Sequence, residues 1–150
     1  MVYRYESNQR QEDVYKRQVL SCVAEEVANH PGVIWTNVIS LRREDAERLG
    51  YDSAAQWQAL LRSRVQLLCE NYKIDSRNLK WYAAFHNESH HPHVHLVVYS
   101  TNPSEGYLTA KGIDAMRSAY AQMCIRDRHR HRRVSLRVAT CDVILQNWIK

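Results

Sequence analysis

Five histidines fall between positions 86 and 95, in the stretch His86-Asn-Glu-Ser-His90-His91-Pro-His93-Val-His95. The apolar run Leu96-Val97-Val98-Tyr99 follows at once. Side chains alternate along a β-strand, so two histidines one residue apart share a face of the sheet. A third histidine on a neighbouring strand then completes a three-nitrogen metal site with open positions. Such a site suits a Lewis acid working on phosphate or water, and not a closed structural centre. Three neutral imidazoles leave a divalent ion its full charge. That charge can bind a phosphodiester oxygen and stabilise a pentacoordinate transition state.

The flanking residues supply the strands. Residues 79–86 place Leu79, Trp81, Ala83 and Phe85 on one face and Lys80, Tyr82, Ala84 and His86 on the other. The next strand, 93–99, places Val94, Leu96 and Val98 on one face, with His93, His95, Val97 and Tyr99 opposite. If the two pair as a hairpin through residues 87–92, the apolar sets pack against helices. His86, His93 and His95 then meet on the far side. His90 and His91 belong to the loop, facing solvent or serving as spare donors near a phosphate. Glu88 is either an exposed carboxylate or a partner for the second nitrogen of a ligating imidazole.

Around this hairpin, residues 19–29 have helical apolar spacing, and His30-Pro31-Gly32 stops the helix. Residues 33–41 are rich in β-branched and aromatic side chains, which predicts a strand. Arg42 to Leu49 reads as a short polar helix ending at Gly50. Asp52 or Ser53 caps the next helix, with Gln56 placed for a capping box. That helix runs to about Tyr72 with Trp57, Leu61, Val65, Leu68 and Tyr72 as its apolar stripe. A turn-rich loop spans Thr101 to Gly106. A helix from about Ala110 carries Ile113, Met116 and Tyr120 inward. The expected fold is α+β: an antiparallel sheet with helices on one face and a three-histidine metal site on the other.

The chain has 150 residues, enough for one domain with a real core. No run is apolar for long enough to cross a membrane, and no signal peptide is legible, so a cytoplasmic protein is expected. Cys22, Cys69, Cys124 and Cys141 have no Cys-x-x-Cys spacing and read as free buried thiols. The net charge of +5 suggests a nucleic-acid partner until it is located. Residues 1–121 carry equal numbers of basic and acidic side chains, and the whole excess lies in 122–150.

That tail and the N-terminus share a second property. Asp13-Val-Tyr-Lys-Arg-Gln18 and Gln122-Met-Cys-Ile-Arg-Asp-Arg128 can be encoded by a single DNA word read in two frames. The word looks like a transposon end used to fragment DNA for sequencing. Residues 1–18 are therefore read as non-native or adapter-derived, and 122–150 as an adapter-derived basic tail. Residues 19–121 are the natural domain fragment.

The pattern His-x-Glu-x-x-x-x-His-apolar-His-apolar resembles the His-hydrophobic-His signature of conjugative relaxases. Ile34-Trp-Thr-Asn-Val-Ile-Ser-Leu-Arg-Arg-Glu-Asp-Ala and Trp81-Tyr-Ala-Ala-Phe-His-Asn-Glu-Ser-His-His-Pro-His-Val-His resemble the plasmid-mobilisation, MobL-like branch. The resemblance covers most of residues 19–121. It implies an enzyme that nicks single-stranded plasmid DNA at a transfer origin during conjugative mobilisation, with accessory mobilisation proteins as further partners. A tyrosine hydroxyl attacks the scissile phosphate, leaving a 5′-phosphotyrosine and a free 3′-hydroxyl. His86, His93 and His95 would hold a divalent ion, Mg or Mn. In this family the tyrosine precedes the histidine motif, near the N-terminus. Tyr3, Tyr5 and Tyr15 lie in residues 1–18, which do not match that region. The expectation is a chain that binds metal and lacks its nucleophile.

Two alternatives stay open. A replication-initiator or single-strand transposase nuclease places its tyrosine on a helix after the hairpin, where Tyr120 sits, although Tyr120 also continues the Ile113, Met116 stripe. A non-catalytic metal-binding or DNA-binding module would bind without phosphodiester chemistry. For DNA contact the pool is Arg42, Arg43, Lys80, Tyr82, Lys111 and Arg117. Arg42 and Arg43 are favoured because they follow a strand directly.

Overall fold

The computed structural model describes residues 21–87, 91–126 and 136–142. The chain divides into two compact units, Met1–Pro31 and Gly32–Lys150. In the first, residues 21–28 form helix α1. Its end is tied off by Asn29, whose backbone and side-chain N–H groups both donate to the Glu25 carbonyl, at 3.1 and 2.9 Å.

The second unit begins with β1 (Ile34–Leu41), followed by α2 (Arg43–Leu49), α3 (Ala54–Arg62), α4 (Val65–Tyr72), β2 (Leu79–His86), β3 (His93–Ser100), α5 (Ala110–Arg126) and β4 (Leu136–Asp142). The strands form one antiparallel sheet in the order β2-β3-β1-β4. β1 and β3 are central, and their β-branched runs suit that place. The strand at 136–142 lies in the stretch read from sequence as an adapter-derived tail. It pairs with β1 along Trp35 to Leu41.

Period-two alternation sorts the two faces. Ile39 and Leu41 of β1 and Val94, Leu96 and Val98 of β3 are buried on one face. They join Ala46 of α2, Trp57, Leu60 and Leu61 of α3, Leu68 and Tyr72 of α4, and Met116 and Tyr120 of α5 in a single core. Each fully buried aliphatic side chain there contributes about 1.5–3 kcal/mol. The alternate residues of the same strands, His93 and His95 among them, lie on the other face. The α+β expectation, with helices on one side of an antiparallel sheet, is met.

Two local readings need correction. The helix expected to run unbroken to Tyr72 is two helices. Ser63 turns its hydroxyl back to the Leu60 carbonyl at 2.7 Å, and Arg64 leaves helical geometry at φ −116°, ψ 13°. A serine that bonds the preceding turn competes with the helix ladder. The break rephases the stripe: Leu60 is buried, and Val65 is only half-buried. At the start of α3, Ser53 is the N-cap residue, but its hydroxyl meets the Gln56 side chain and not the backbone, so no capping box forms.

Gly50 ends α2 in the left-handed region, at φ 74°, with its N–H on the Ala46 and Glu47 carbonyls. That is the conformation in which glycine carries no Cβ penalty. The cysteine reading is also corrected. Cys69 is buried as expected, but Cys22 is exposed, because α1 buries little besides Val27. Among the described residues no helix is long and apolar enough to cross a membrane.

Candidate functional site

The β2–β3 hairpin has the register that brings the histidines together. His86 pairs with His93 and Ala84 with His95. β1 flanks the other side of β3, with Ser40 opposite His93 and Val38 opposite His95. The three imidazoles form a triangle. Ring centres are 5.1 Å apart for His86–His93, 5.0 Å for His86–His95 and 5.0 Å for His93–His95. His86 is exposed, and His93 and His95 are half-buried.

This spacing can be tested against an ion. With metal–nitrogen bonds of about 2.1 Å, an ion lies about 3.3 Å from each ring centre, so at octahedral or tetrahedral angles the centres sit about 4.6–5.3 Å apart. The observed triangle falls in that range. The donor set is also right for a divalent ion. The aim of the nitrogens is a separate matter. The His86 and His93 planes are within 6° of parallel. Among the described residues no group of three or more His, Cys, Asp or Glu side chains is arranged as an ion-holding cluster. The fold gathers the imidazoles without converging their nitrogens on one point.

One tautomer follows from chemistry. The Nδ1 of His93 lies 2.9 Å from the His91 carbonyl oxygen. A carbonyl only accepts, so Nδ1 carries the proton, and the neutral ring keeps its lone pair on Nε2. Such a bond orients ligating histidines and raises their basicity. At His95, burial disfavours the charged ring, and the neighbouring His93 and His86 add to the effect, so its pKa is lowered.

The other expected site residues divide as follows. Arg43 donates to the Asn87 Oδ1 at 2.8 Å, directly beside His86. Arg42 is exposed at the N-cap of α2, and its carbonyl accepts from the Ala46 N–H. Tyr120 is 2% exposed within the helix-side core, so the sheet separates it from the histidine face. Its hydroxyl is buried without a hydrogen-bond partner among the described residues, and desolvation raises its pKa to about 12. Tyr82 shares the histidine face, opposite Val97, with its ring 6.3 Å from that of Tyr99. Glu88, His90, Tyr3, Tyr5 and Tyr15 lie outside the described residues. Sequence reasoning missed Asn87 as a partner of Arg43. The only signal for it was its position next to His86.

An antiparallel sheet, helices packed on one face and three histidines gathered on the other define a class: α+β proteins with a histidine-bearing hairpin. The family model of the MobL relaxases matches residues 8–135, and the chain belongs to that family. No curated protein and no solved structure matches the chain.

Proposed function

We propose that this chain carries the metal-binding part of the DNA-nicking domain of a mobilisation relaxase, an enzyme acting on single-stranded DNA at a plasmid transfer origin, with His86, His93 and His95 as the ligands of a divalent ion, Mg or Mn. Membership of the MobL relaxases supports the reaction class. The observation that carries the site is the triangle of ring centres, 5.0–5.1 Å on a side, on the sheet face opposite the core. When bound, the ion would polarise a scissile phosphate oxygen. The chain's own residues present that ion: the β2–β3 register sets the separation of the rings, and the His91 carbonyl holds His93 with Nε2 free of a proton. Glu88 is proposed to orient a second imidazole, and Arg42 and Arg43 to contact DNA phosphates at the end of β1, where Arg42 is exposed.

We further propose that the attacking tyrosine is missing from this chain. Tyr72 and Tyr120 are buried in the core on the far side of the sheet. The test is manganese titration followed by incubation with a labelled single-stranded origin oligonucleotide. Manganese binding without a protein–DNA adduct is expected. Failure to bind manganese overturns the site. Adduct formation overturns the missing nucleophile and makes Tyr82, on the histidine face, the first side chain to replace. The origin of residues 1–18 and 122–150 as translated adapter is likewise a proposal. Coding DNA that lacks the repeated word at codons 13–18 and 122–128 would refute it.

A further inference from the structure

We propose that the junction between β1 and α2 clamps both feet of the histidine hairpin, with Arg43 acting through Asn87 as a positioning residue for the histidine triad. The proposal rests on the metal reading above.

The two feet are held differently. On the β3 side, the Leu41 N–H donates to the Pro92 carbonyl at 3.1 Å, one step beyond the Ser40–His93 pair. Leu41 and Pro92 are both fully buried, and proline fixes its own φ. His93 therefore sits on a strand paired on both sides, and its ring is anchored to the His91 carbonyl.

Among the described residues His86 has no such frame. It is the last residue of β2, which pairs on one side only with the described strands and stands at the edge of their sheet. Strand ends at an edge open locally at low free energy. Ring spacing in the triad depends on where that end is held. Two residues beyond Leu41, Arg43 reaches Asn87, the residue after His86, with Nη1 donating to Oδ1 at 2.8 Å. Leu41 and Arg43 thus hold Pro92 and Asn87, the residues bordering His93 and His86. A planar guanidinium loses less side-chain freedom per bond formed than an ammonium on a flexible stem.

The test measures manganese affinity of the full chain by electron paramagnetic resonance for the wild type, Arg43→Ala, Arg43→Gln, Asn87→Ala and the double alanine variant, with melting temperatures recorded alongside. Outer-sphere partners of metal ligands change affinity by roughly 10–100-fold. Arg43→Ala and Asn87→Ala should each weaken binding by about tenfold, at the low end of that range, with unchanged melting. The double variant should be no weaker than either single one, since both remove one contact. Arg43→Gln keeps a donor and should recover part of the loss. Wild-type affinity in Arg43→Ala overturns the clamp, as does a multiplicative double variant. So does a loss of DNA affinity with manganese affinity intact, which would make Arg43 a phosphate contact only. If the wild type binds no manganese, the metal reading fails, and the clamp is judged separately. Nuclear Overhauser contacts between the His86 and His93 rings must then be present in the wild type and weakened in Arg43→Ala, or the clamp is wrong too.

Discussion

His86 and His93 face each other across the β2–β3 ladder, with ring planes 6° from parallel and centres 5.1 Å apart. His95 stands nearly perpendicular to both, at 81° and 76°. Replacing any one of the three by alanine removes a ligand from the proposed centre. Each change should lower manganese affinity by more than the roughly tenfold expected of Arg43→Ala, the low end of the outer-sphere range. Isothermal titration measures it. His86→Ala should leave the melting temperature almost unchanged, since that ring is exposed. Unaltered manganese binding in His93→Ala would remove the triad from the mechanism.

The lowered pKa of His95 gives the metal-free protein a pH dependence. Below the ordinary value of 6.5 the unfolded chain takes up a proton at this position more readily than the folded one. Stability is therefore intact above 6.5 and falls as the pH drops through the folded-state value. Urea unfolding between pH 7.5 and 5 should show this decline, and His95→Gln should flatten it. An unchanged slope in the variant would mean the ring is no less basic folded than free.

Tyr120 distinguishes the MobL reading from a nuclease whose tyrosine follows the hairpin. Its hydroxyl is buried on the helix side with no hydrogen-bond partner among the described residues. Tyr120→Phe should preserve DNA binding and stabilise the fold by about 1 kcal/mol, because an unsatisfied buried polar group costs about 1–3 kcal/mol. Denaturant unfolding checks the sign. If the variant lost a nicking activity that the parent had, the core assignment of its role would be wrong.

Asn37 is a buried polar side chain in the central strand β1, and its partners explain its presence there. The Tyr72 hydroxyl donates to its Oδ1 at 2.7 Å, and its Nδ2 donates to the Leu96 carbonyl at 3.3 Å. Asn37→Ala strands the Tyr72 hydroxyl and should destabilise by about 1–3 kcal/mol. Tyr72→Phe removes the same bond. A double-mutant cycle should return a coupling of at least about 0.5 kcal/mol. Strict additivity would show that the contact does not hold in solution.

Glu105 closes the end of the sheet away from the histidines. It accepts from the Ser100 hydroxyl at 2.7 Å, from Asn78 and Asn102 at 3.0 and 3.3 Å, and from the Asp75 N–H at 3.2 Å. The Ser100 bond leads in holding its pKa below 4.5. Glu105→Ala should lower the melting temperature, because four donors lose their shared acceptor. Amide exchange at Thr101, whose N–H donates to the Asn78 carbonyl, should quicken. In the parent, this contribution is present above pH 4.5 and is lost on acidification. An acid limb that survives in Glu105→Ala would place its origin elsewhere, Asp75 being the nearest choice. The Arg77 side chain holds Asp75 down to about 2.

Much of the architecture was legible because it follows from local periodicity. The alternation in 79–86 and 93–99 defined both strands and assigned His86, His93 and His95 to one face, and β2 and β3 have those bounds to within a residue. The stripe of Ile113, Met116 and Tyr120 set the inward side of α5. The break at Ser63 was not legible, since one hydroxyl bonding back to Leu60 decides it.

By itself the sequence determined which residues could gather and on which side, because a period of two or 3.6 is a property of neighbouring residues. Only the tertiary structure decided the sheet order, the reach of Arg43 to Asn87 across 44 positions and the burial of Tyr120. Those depend on which strands pair and which elements share a core, and such contacts join residues whose separation along the chain leaves no local pattern.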